Sequence, residues 1–428
     1  MTTTMIICII ISVFTIAMYM WGKYPIGLVS MVSMVLLVLT GCLSPQSALA
    51  GFSNESTIAL LAMFPVVEGF NRTQFCKNIA GALARVAKGS LVKILAGYCV
   101  LAMILTQFIK APMVVMLVIC PMLVATCREI GVKPSKAVFP VGIVAISCCC
   151  ILPIAAGATV AAEMNGYLQA AEYTAFQFGM FDCVKGRLPV LIASVAYSAF
   201  IGWRFAPDEP PIPPQNKSTF AEGAKLSKGR EICGYVVFIL TSITMLLQSK
   251  LGISLAVICI SGALLMVITG VLSEADAIKA VPWNWGFIYI GALSLAAALA
   301  QTGVGDYVGA ALANGVQHIQ NRYLIGLIFF LIPFLLTQVM FNINVMMIFY
   351  PIVILTCKAM GGSPIGLMLL VQQACLTAFM TPLANGTVPI IMAEGGYDLR
   401  SMLKQSWLPS LVYMIVSVGW IMTVFPVL

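Results

Sequence analysis

Apolar runs of about 20 residues recur along the chain from Ile6 to its end, and short polar connections separate them. A helix needs about that many apolar residues to cross the hydrocarbon core of a bilayer. The pattern predicts an all-α polytopic membrane protein. The predicted spans of the first part are 4–21, 25–42, 56–70 and 188–204, with two shorter arms at 90–127 and a longer, broken segment at 137–168. Those of the second part are 231–249, 252–271, 283–301 and 407–428, with arms at 322–358 and a broken segment at 363–393.

The second part repeats the first at an offset of about 229 residues, as in duplicated secondary transporters. Residues 39–44 fall on 268–273, and Pro121 falls on Pro351. If each pair of arms enters and leaves the membrane on one side as a re-entrant hairpin, each repeat crosses five times, so the two repeats are inverted. The predicted division is a first repeat at 1–205, a linker at 206–230 and a second repeat at 231–428.

Charge fits this topology. With 61% hydrophobic and 9% charged residues, the chain is not a soluble globular domain of ordinary composition. Cytoplasmic loops carry an excess of Lys and Arg, and most of the 23 basic residues fall on one side, which places the linker in the cytoplasm and both termini outside the inner (plasma) membrane. Lys110 is left at membrane depth. The basic residues assigned to the outer side are Lys185, Arg187, Lys250, Arg322 and Lys358.

The residues that carry catalysis or bind metals are scarce. The 14 cysteines lie mostly inside apolar runs without paired CxxC spacing, so they are interpreted as packing residues. A membrane-embedded enzyme needs intramembrane acids, bases or metal ligands, and a single histidine in a predicted loop argues against that alternative. No cofactor and no nucleic-acid partner are expected; the expected partners are a small anion, lipids and a second copy of the chain.

Four helix breaks are predicted at membrane depth, where unpaired backbone is tolerated only if it is buried in protein or lines a cavity. Two lie at the hairpin tips, at 110–112 and 341–344, and two lie in the long segments, at 152–157 and 381–387. The repeat predicts that all four meet near one point. Helix N-termini there would present N–H donors and about half a positive charge each, which favours an anion site.

The second hairpin carries a recognisable spacing. Asn342 lies nine residues before Pro351, Thr337 lies five before Asn342, and a Thr381-Pro382 break follows. This arrangement resembles the divalent anion:sodium symporter family. The resemblance implies a homodimer, an elevator-type motion, a dicarboxylate as the substrate and Na⁺ as the coupling ion. It implies a Na⁺ site at Thr337, Asn342 and Asn385. The helix breaks and this resemblance together predict a substrate site, whose residues are Lys110, Pro112, Gly157, Asn342, Thr381, Pro382, Asn385, Gly386 and Thr387.

The first hairpin departs from that pattern, because Pro112 stands in place of the asparagine and Lys110 lies beside it. A cation site needs oxygen ligands, so we hypothesise that Lys110 replaces one bound Na⁺ and supplies a fixed positive charge to the substrate. The alternatives are that Lys110 snorkels to the interface or forms a structural ion pair with Glu163. Glu68, Glu163 and Glu394 are candidates for proton relay, although the last two are predicted to lie as solvated caps near the membrane surface.

Two other functions remain open from the sequence. The substrate could be sulfate or another oxyanion, and an arsenite or antimonite efflux carrier would favour an uncharged oxyacid, which makes Lys110 harder to explain. A channel would share the composition and the spans.

Overall fold

The computed structural model describes residues 2–21, 23–74, 90–129, 131–154, 157–212, 226–247, 251–281, 283–304, 307, 319, 321–338 and 340–427. Across these ranges the secondary structure is helical and contains no strand, which confirms the predicted all-α class. Among the residues that the structure describes, five helical segments are long and apolar enough to cross a membrane: Pro45–Phe70, Leu91–Phe108, Asp182–Phe200, Asn342–Met360 and Leu399–Val424.

The helices of the first repeat are numbered in chain order. They are α1 (Thr3–Trp21), α2 (Ile26–Leu39), α3 (Pro45–Ser53), α4 (Glu55–Asn71), α5 (Leu91–Phe108), α6 (Pro112–Glu129), α7 (Val138–Ser147), α8 (Ala158–Ala170) and α9 (Asp182–Phe200).

The second repeat follows the same order in the part of the chain that the structure describes. Its helices are α10 (Lys228–Leu246), α11 (Leu255–Ile268), α12 (Glu274–Ala280), α13 (Trp283–Gln301), α14 (Arg322–Leu336), α15 (Asn342–Met360), α16 (Ile365–Leu376), α17 (Thr387–Gly395) and α18 (Leu399–Val424).

The two predicted repeats contact each other through corresponding pairs of helices. Helix α4 packs on α11, and its counterpart α13 packs on α2, the counterpart of α11. Glycines allow close approach: a Cβ on Gly291 of α13 would lie 2.5 Å from the Cβ of Ser30 on α2, and one on Gly262 of α11 would lie 2.5 Å from Thr241 Oγ1 on α10. Small residues permit this packing where lipid supplies no hydrophobic drive between helices.

The last helix of each repeat begins earlier than predicted. Helix α9 begins at Asp182, and α18 begins at Leu399 with its N-cap Asp398 accepting a hydrogen bond from Ser401 N. Each of these helices also contains a proline in its interior, Pro189 in α9 and Pro409 in α18. The earlier start moves Arg187 from a predicted loop into a helix.

Two short helices were not predicted. Helices α3 and α12 each follow a serine N-cap, in which the Ser44 and Ser273 hydroxyls accept hydrogen bonds from Ser47 N and Asp276 N. Serine N-caps stabilise even one or two turns of helix. These helices connect the second and third predicted spans of each repeat.

Helices end at all four predicted break positions. Between the arms, α5 ends at Phe108 and α6 begins at Pro112, whereas α14 ends at Leu336 and α15 begins at Asn342. In the long segments, α7 and α8 are separated by 148–157, and α16 and α17 by 377–386. The arm α5 ends against a cluster of three rings, in which Phe70 lies 5.4 Å from Phe108 and 4.0 Å from Phe238 between centroids.

Candidate substrate and cation site

All four helix breaks border one cavity of about 440 Å³. The two hairpin tips contribute 109–114 and 341–343, and the two interrupted segments contribute Cys149, Cys150 and 385–387. Six of the predicted site residues line it: Lys110, Pro112, Asn342, Asn385, Gly386 and Thr387. The volume lies in the range of pockets that hold small molecules.

Lys110 forms an ion pair inside this cavity. Its Nζ lies 2.9 Å from Glu163 Oε2, and the two side chains are only 15% and 12% exposed. Tyr289 also donates its hydroxyl to the backbone oxygen of Glu163, at 2.8 Å. The pair with Glu163 was one of the alternatives that the sequence left open for Lys110.

The position of Glu163 corrects the sequence prediction of a solvated cap. Helix α8 begins at Ala158, so Glu163 lies less than two turns from the break and faces the cavity. Glu394 was predicted in the same way, but it is buried at the end of α17 with 6% exposure. Both acids were misplaced because the sequence does not show how deep in the membrane each broken helix starts.

In the first repeat, the side-chain amide of Gln107 joins the hairpin tip to the helix break through hydrogen bonds. Gln107 Oε1 accepts hydrogen bonds from Ile151 N at 3.0 Å and Leu152 N at 2.9 Å, while its Nε2 donates to Cys148 O at 2.8 Å. Cys150 N donates to Thr106 O at 3.2 Å. The polar groups of Gln107 are thus satisfied by protein atoms.

In the second repeat the tip and the break are joined differently. Thr381 Oγ1 donates to Gln338 O at 2.5 Å, and Asn342 N donates to Ala384 O at 3.0 Å. The amide oxygens of Asn342 and Asn385 accept local backbone hydrogen bonds, from Ile343 N and Thr387 N. The N-cap residues of α15 and α17, Phe341 and Gly386, form no side-chain cap hydrogen bond, so both helices begin at the cavity without a cap from these residues.

This second junction contains buried oxygens that lack hydrogen bonds. Among the described residues, four such atoms lie in or beside the second tip and break: Thr337 Oγ1, Gln338 Oε1, Asn344 Oδ1 and Thr387 Oγ1. Burying an oxygen without a partner costs about 1–3 kcal/mol. A hard cation such as Na⁺ prefers uncharged and carboxylate oxygens, and these four atoms are uncharged oxygens of that kind.

The first repeat offers no matching oxygens at the aligned positions. Val114 and Ala158 stand where the second repeat has Asn344 and Thr387, and the Thr106 hydroxyl is bonded to Met103 O. In the first repeat, the hairpin tip and the break are therefore joined by hydrogen bonds between protein atoms. In the second repeat, the tip and the break have oxygens available for a cation. Of the predicted Na⁺ ligands, Thr337 has a buried hydroxyl without a hydrogen bond, whereas the amide oxygens of Asn342 and Asn385 each accept one backbone hydrogen bond.

Three predicted substrate residues do not line the cavity. Gly157 is buried directly before α8, Thr381 is bonded to Gln338, and Pro382 is exposed. These three residues belong to the helix breaks but lie outside the lining of the cavity.

Several polar lining residues were missed by the sequence analysis, among them Gln372, Tyr350 and Thr159. The signal for Gln372 was available, because the pair Gln372-Gln373 interrupts the otherwise apolar helix α16. Arg187 was missed as well: it was assigned to a loop on the outer side, but it is fully buried and bonded to this glutamine pair.

Gly157 permits a close approach of the backbone within the helix break of the first repeat. A Cβ at Gly157 would lie 1.9 Å from the backbone oxygen of Leu152. Gly157→Ala is expected to destabilise the protein by about 1–3 kcal/mol, because backbone must shift to relieve the overlap. The loss would appear as a lower melting temperature in detergent.

The matched control is Gly386→Ala at the equivalent break. The nearest atom to its added Cβ would lie at 3.6 Å, so the melting temperature should not change. Equal destabilisation by both substitutions would contradict the assignment of a tight turn to the first break alone.

The sequence matches the citrate transporter family over residues 16–371 and 235–428. It is 27% identical over 144 residues to an uncharacterized transporter of Synechocystis, covering 34% of this chain and 23% of that protein. It is 29% identical over 127 residues to the sodium-dependent low-affinity dicarboxylate transporter 1 of Caenorhabditis elegans, covering 30% of this chain and 22% of that protein. The predicted relationship to carriers of the divalent anion:sodium symporter kind is thereby confirmed.

Two solved structures share the fold. MtrF of Neisseria gonorrhoeae, described among a class of antimetabolite efflux pumps, superposes with a TM-score of 0.62 at 10% identity, covering 90% of this chain and 83% of MtrF. The YdaH transporter of Alcanivorax borkumensis gives 0.61 at 12% identity, covering 90% and 87%. Several helices of the described residues are long and apolar enough to cross a membrane, and the matches place the chain in the citrate transporter family, to which it therefore belongs.

Proposed function

We propose that the chain carries a small dianion, a dicarboxylate in the first place, across the membrane by alternating access. The observation that supports this most directly is the cavity at which four helix ends meet beside Lys110. Free N–H groups at helix N-termini and a lysine ammonium both favour carboxylate groups. The C. elegans relative is named for dicarboxylate transport, which agrees with this substrate class.

Glu163 acts in this proposal as a resident carboxylate that holds Lys110 while the cavity contains no substrate. An unpaired ammonium at membrane depth is costly, so a partner is needed in the empty carrier. A substrate carboxylate would exchange with Glu163 and take over part of the hydrogen bonding of Lys110. The 2.9 Å ion pair is the starting point of that exchange.

One Na⁺ is proposed to accompany the substrate, held in the second repeat around Thr337, Asn344 and Thr387. The buried oxygens without partners support this position. Lys110 takes the place of a second cation, because the equivalent junction in the first repeat is closed by Gln107.

The motion is proposed to be of the elevator type within a homodimer. The interlocked helices α2, α4, α11 and α13 would form the fixed scaffold, and the hairpins with the broken helices would form the moving part. The reciprocal contacts between α4 and α11 and between α2 and α13 support a rigid unit. The inverted topology, with the 206–230 linker in the cytoplasm and both termini outside, is part of the same proposal and can be tested by cysteine labelling from each side.

Uptake into proteoliposomes tests the proposal. An imposed inward Na⁺ gradient is expected to drive accumulation of labelled succinate, and a proton gradient alone is not, since the proposed coupling ion is Na⁺. Counterflow of preloaded succinate would distinguish a carrier from a channel. Arsenite and sulfate should be tested in parallel: movement of arsenite without succinate would establish the efflux alternative, and accumulation driven only by protons would contradict the Na⁺ site.

A further inference from the structure

Arg187 on α9 is fully buried and makes three charge-assisted hydrogen bonds. Its Nε donates to Gln373 Oε1 at 2.7 Å, its Nη1 to Gln372 Oε1 at 3.1 Å, and its Nη2 to Ser147 O at 3.1 Å. No carboxylate of the described residues lies within ion-pair distance of the guanidinium. Asp182, one helical turn and a half away, is bonded to Gly179 N and Lys185 instead.

The guanidinium lies between two helix C-termini from different repeats. Ser147 is the last residue of α7, and the glutamine pair lies in the last turn and a half of α16. Each C-terminus carries about half a negative charge, whose effect fades within about one turn. These partial charges make a buried guanidinium tolerable, but they do not cancel its field at longer range.

The hydrogen-bond network of Arg187 includes one residue that lines the cavity, Gln372. This residue lines the cavity, and its Oε1 is taken by Arg187 and by the Cys183 thiol. The amide is thereby oriented with its oxygen towards the guanidinium, which leaves the Nε2 donor for the cavity side. A donor in that position suits an anion and does not suit a cation.

Each charged side chain among the described residues that line the cavity has an ion-pair partner, whereas Arg187, which lies behind the cavity, has none. Lys110 is paired with Glu163, and Glu68 lies 3.3 Å from Arg72, which also pairs with Asp276 at 3.0 Å. Within the part of the chain that the structure describes, Arg187 is thus the cation next to the cavity that no carboxylate offsets. In a low-dielectric interior such a charge acts over many ångströms.

We propose that Arg187 is the residue that sets the charge selectivity of the carrier: it orients the Gln372 amide towards the substrate and supplies the positive field that favours dianions over monoanions. This rests on the proposed transport of an anion through the same cavity. The Coulomb energy of a dianion in the field of Arg187 is twice that of a monoanion. A purely structural role for Arg187 would change the binding of both by the same factor.

Competition against labelled succinate in proteoliposomes tests this inference. Unlabelled succinate serves as the dianion and its monomethyl ester as the monoanion, for the wild type, Arg187→Gln and Arg187→Lys. In Arg187→Gln the half-inhibitory concentration of succinate is expected to rise about tenfold more than that of the ester. Arg187→Lys keeps the charge and should keep the ratio of the two within about twofold.

A second variant covers the case in which Arg187→Gln does not fold. Gln372→Glu is nearly isosteric and places a carboxylate oxygen where the Gln372 amide oxygen accepts the hydrogen bond from Arg187 Nη1. The positive charge of Arg187 is then neutralised while the guanidinium stays in place. This variant should lose the preference for succinate over the ester. An unchanged ratio in Gln372→Glu, or an equal rise for both compounds in Arg187→Gln, overturns the inference and leaves the proposed function intact. A wild type that binds neither compound contradicts the proposed function itself.

Discussion

Lys110→Met is expected to abolish succinate uptake, with a loss of about 100-fold or more, which corresponds to about 2.7 kcal/mol. Among the described residues that line the cavity, Lys110 is the one lysine or arginine. Methionine keeps much of the length of the side chain but removes the charge, and it leaves Glu163 buried without its partner. Initial rates of uptake at saturating Na⁺, normalised to reconstituted protein, provide the measurement.

A double substitution separates binding from a structural ion pair. Removing one partner of a buried pair is costly because the other charge remains unpaired, whereas removing both often restores stability. Lys110→Met with Glu163→Gln should therefore recover the melting temperature but not uptake. Near-normal uptake in the double variant would show that Lys110 serves only to neutralise Glu163, and would eliminate its role as a resident cation.

Thr337→Val is expected to remove the response to Na⁺ without destabilising the protein. The Thr337 hydroxyl is fully buried and lacks a hydrogen-bond partner among the described residues. Valine has the same shape and removes an oxygen that costs stability when no cation is bound. The Na⁺ concentration for half-maximal uptake should rise at least about tenfold, the loss of about 1.4 kcal/mol of binding energy.

Thermal stability provides a second measurement of Na⁺ binding at the site of Thr337. A ligand that binds only the folded state raises the melting temperature with its concentration, so Na⁺ should stabilise the wild type and not Thr337→Val. Thr106→Val is the matched control in the first repeat, where the hydroxyl donates to Met103 O. It should retain the stabilisation by Na⁺. If Na⁺ raises the melting temperature of Thr337→Val as much as that of the wild type, the cation lies elsewhere.

The sequence predicted the helix breaks well because two strong signals coincide at them. Proline, glycine and asparagine in an apolar span mark places where backbone hydrogen bonds are lost, and the internal repeat places such marks at corresponding positions. Helices α9 and α18 begin several residues before the predicted spans 188–204 and 407–428, and the prolines inside these helices, Pro189 and Pro409, do not mark where they begin.

The side-chain partners at the site could be predicted only in part. The sequence raised the pair of Lys110 with Glu163 as an alternative, but nothing local to either residue fixes the distance between them. Arg187 was placed outside the core because a charged residue near a predicted helix end is usually solvated. Its true partners, Gln372 and Gln373, are 185 and 186 residues away along the chain, and only the packing of α9 against α16 brings them together.

A lysine that belongs to the protein has an electrical consequence that a bound ion does not. In the proposed cycle Lys110 travels with the carrier in both directions, loaded and empty, so it adds nothing to the charge moved per turnover. A dianion with one Na⁺ then transfers a net charge of −1, and a voltage that is negative inside opposes its import by about 2.3 kcal/mol per 100 mV. The same voltage would drive the loaded carrier outward, so the cell's membrane potential favours release of the dianion over its accumulation.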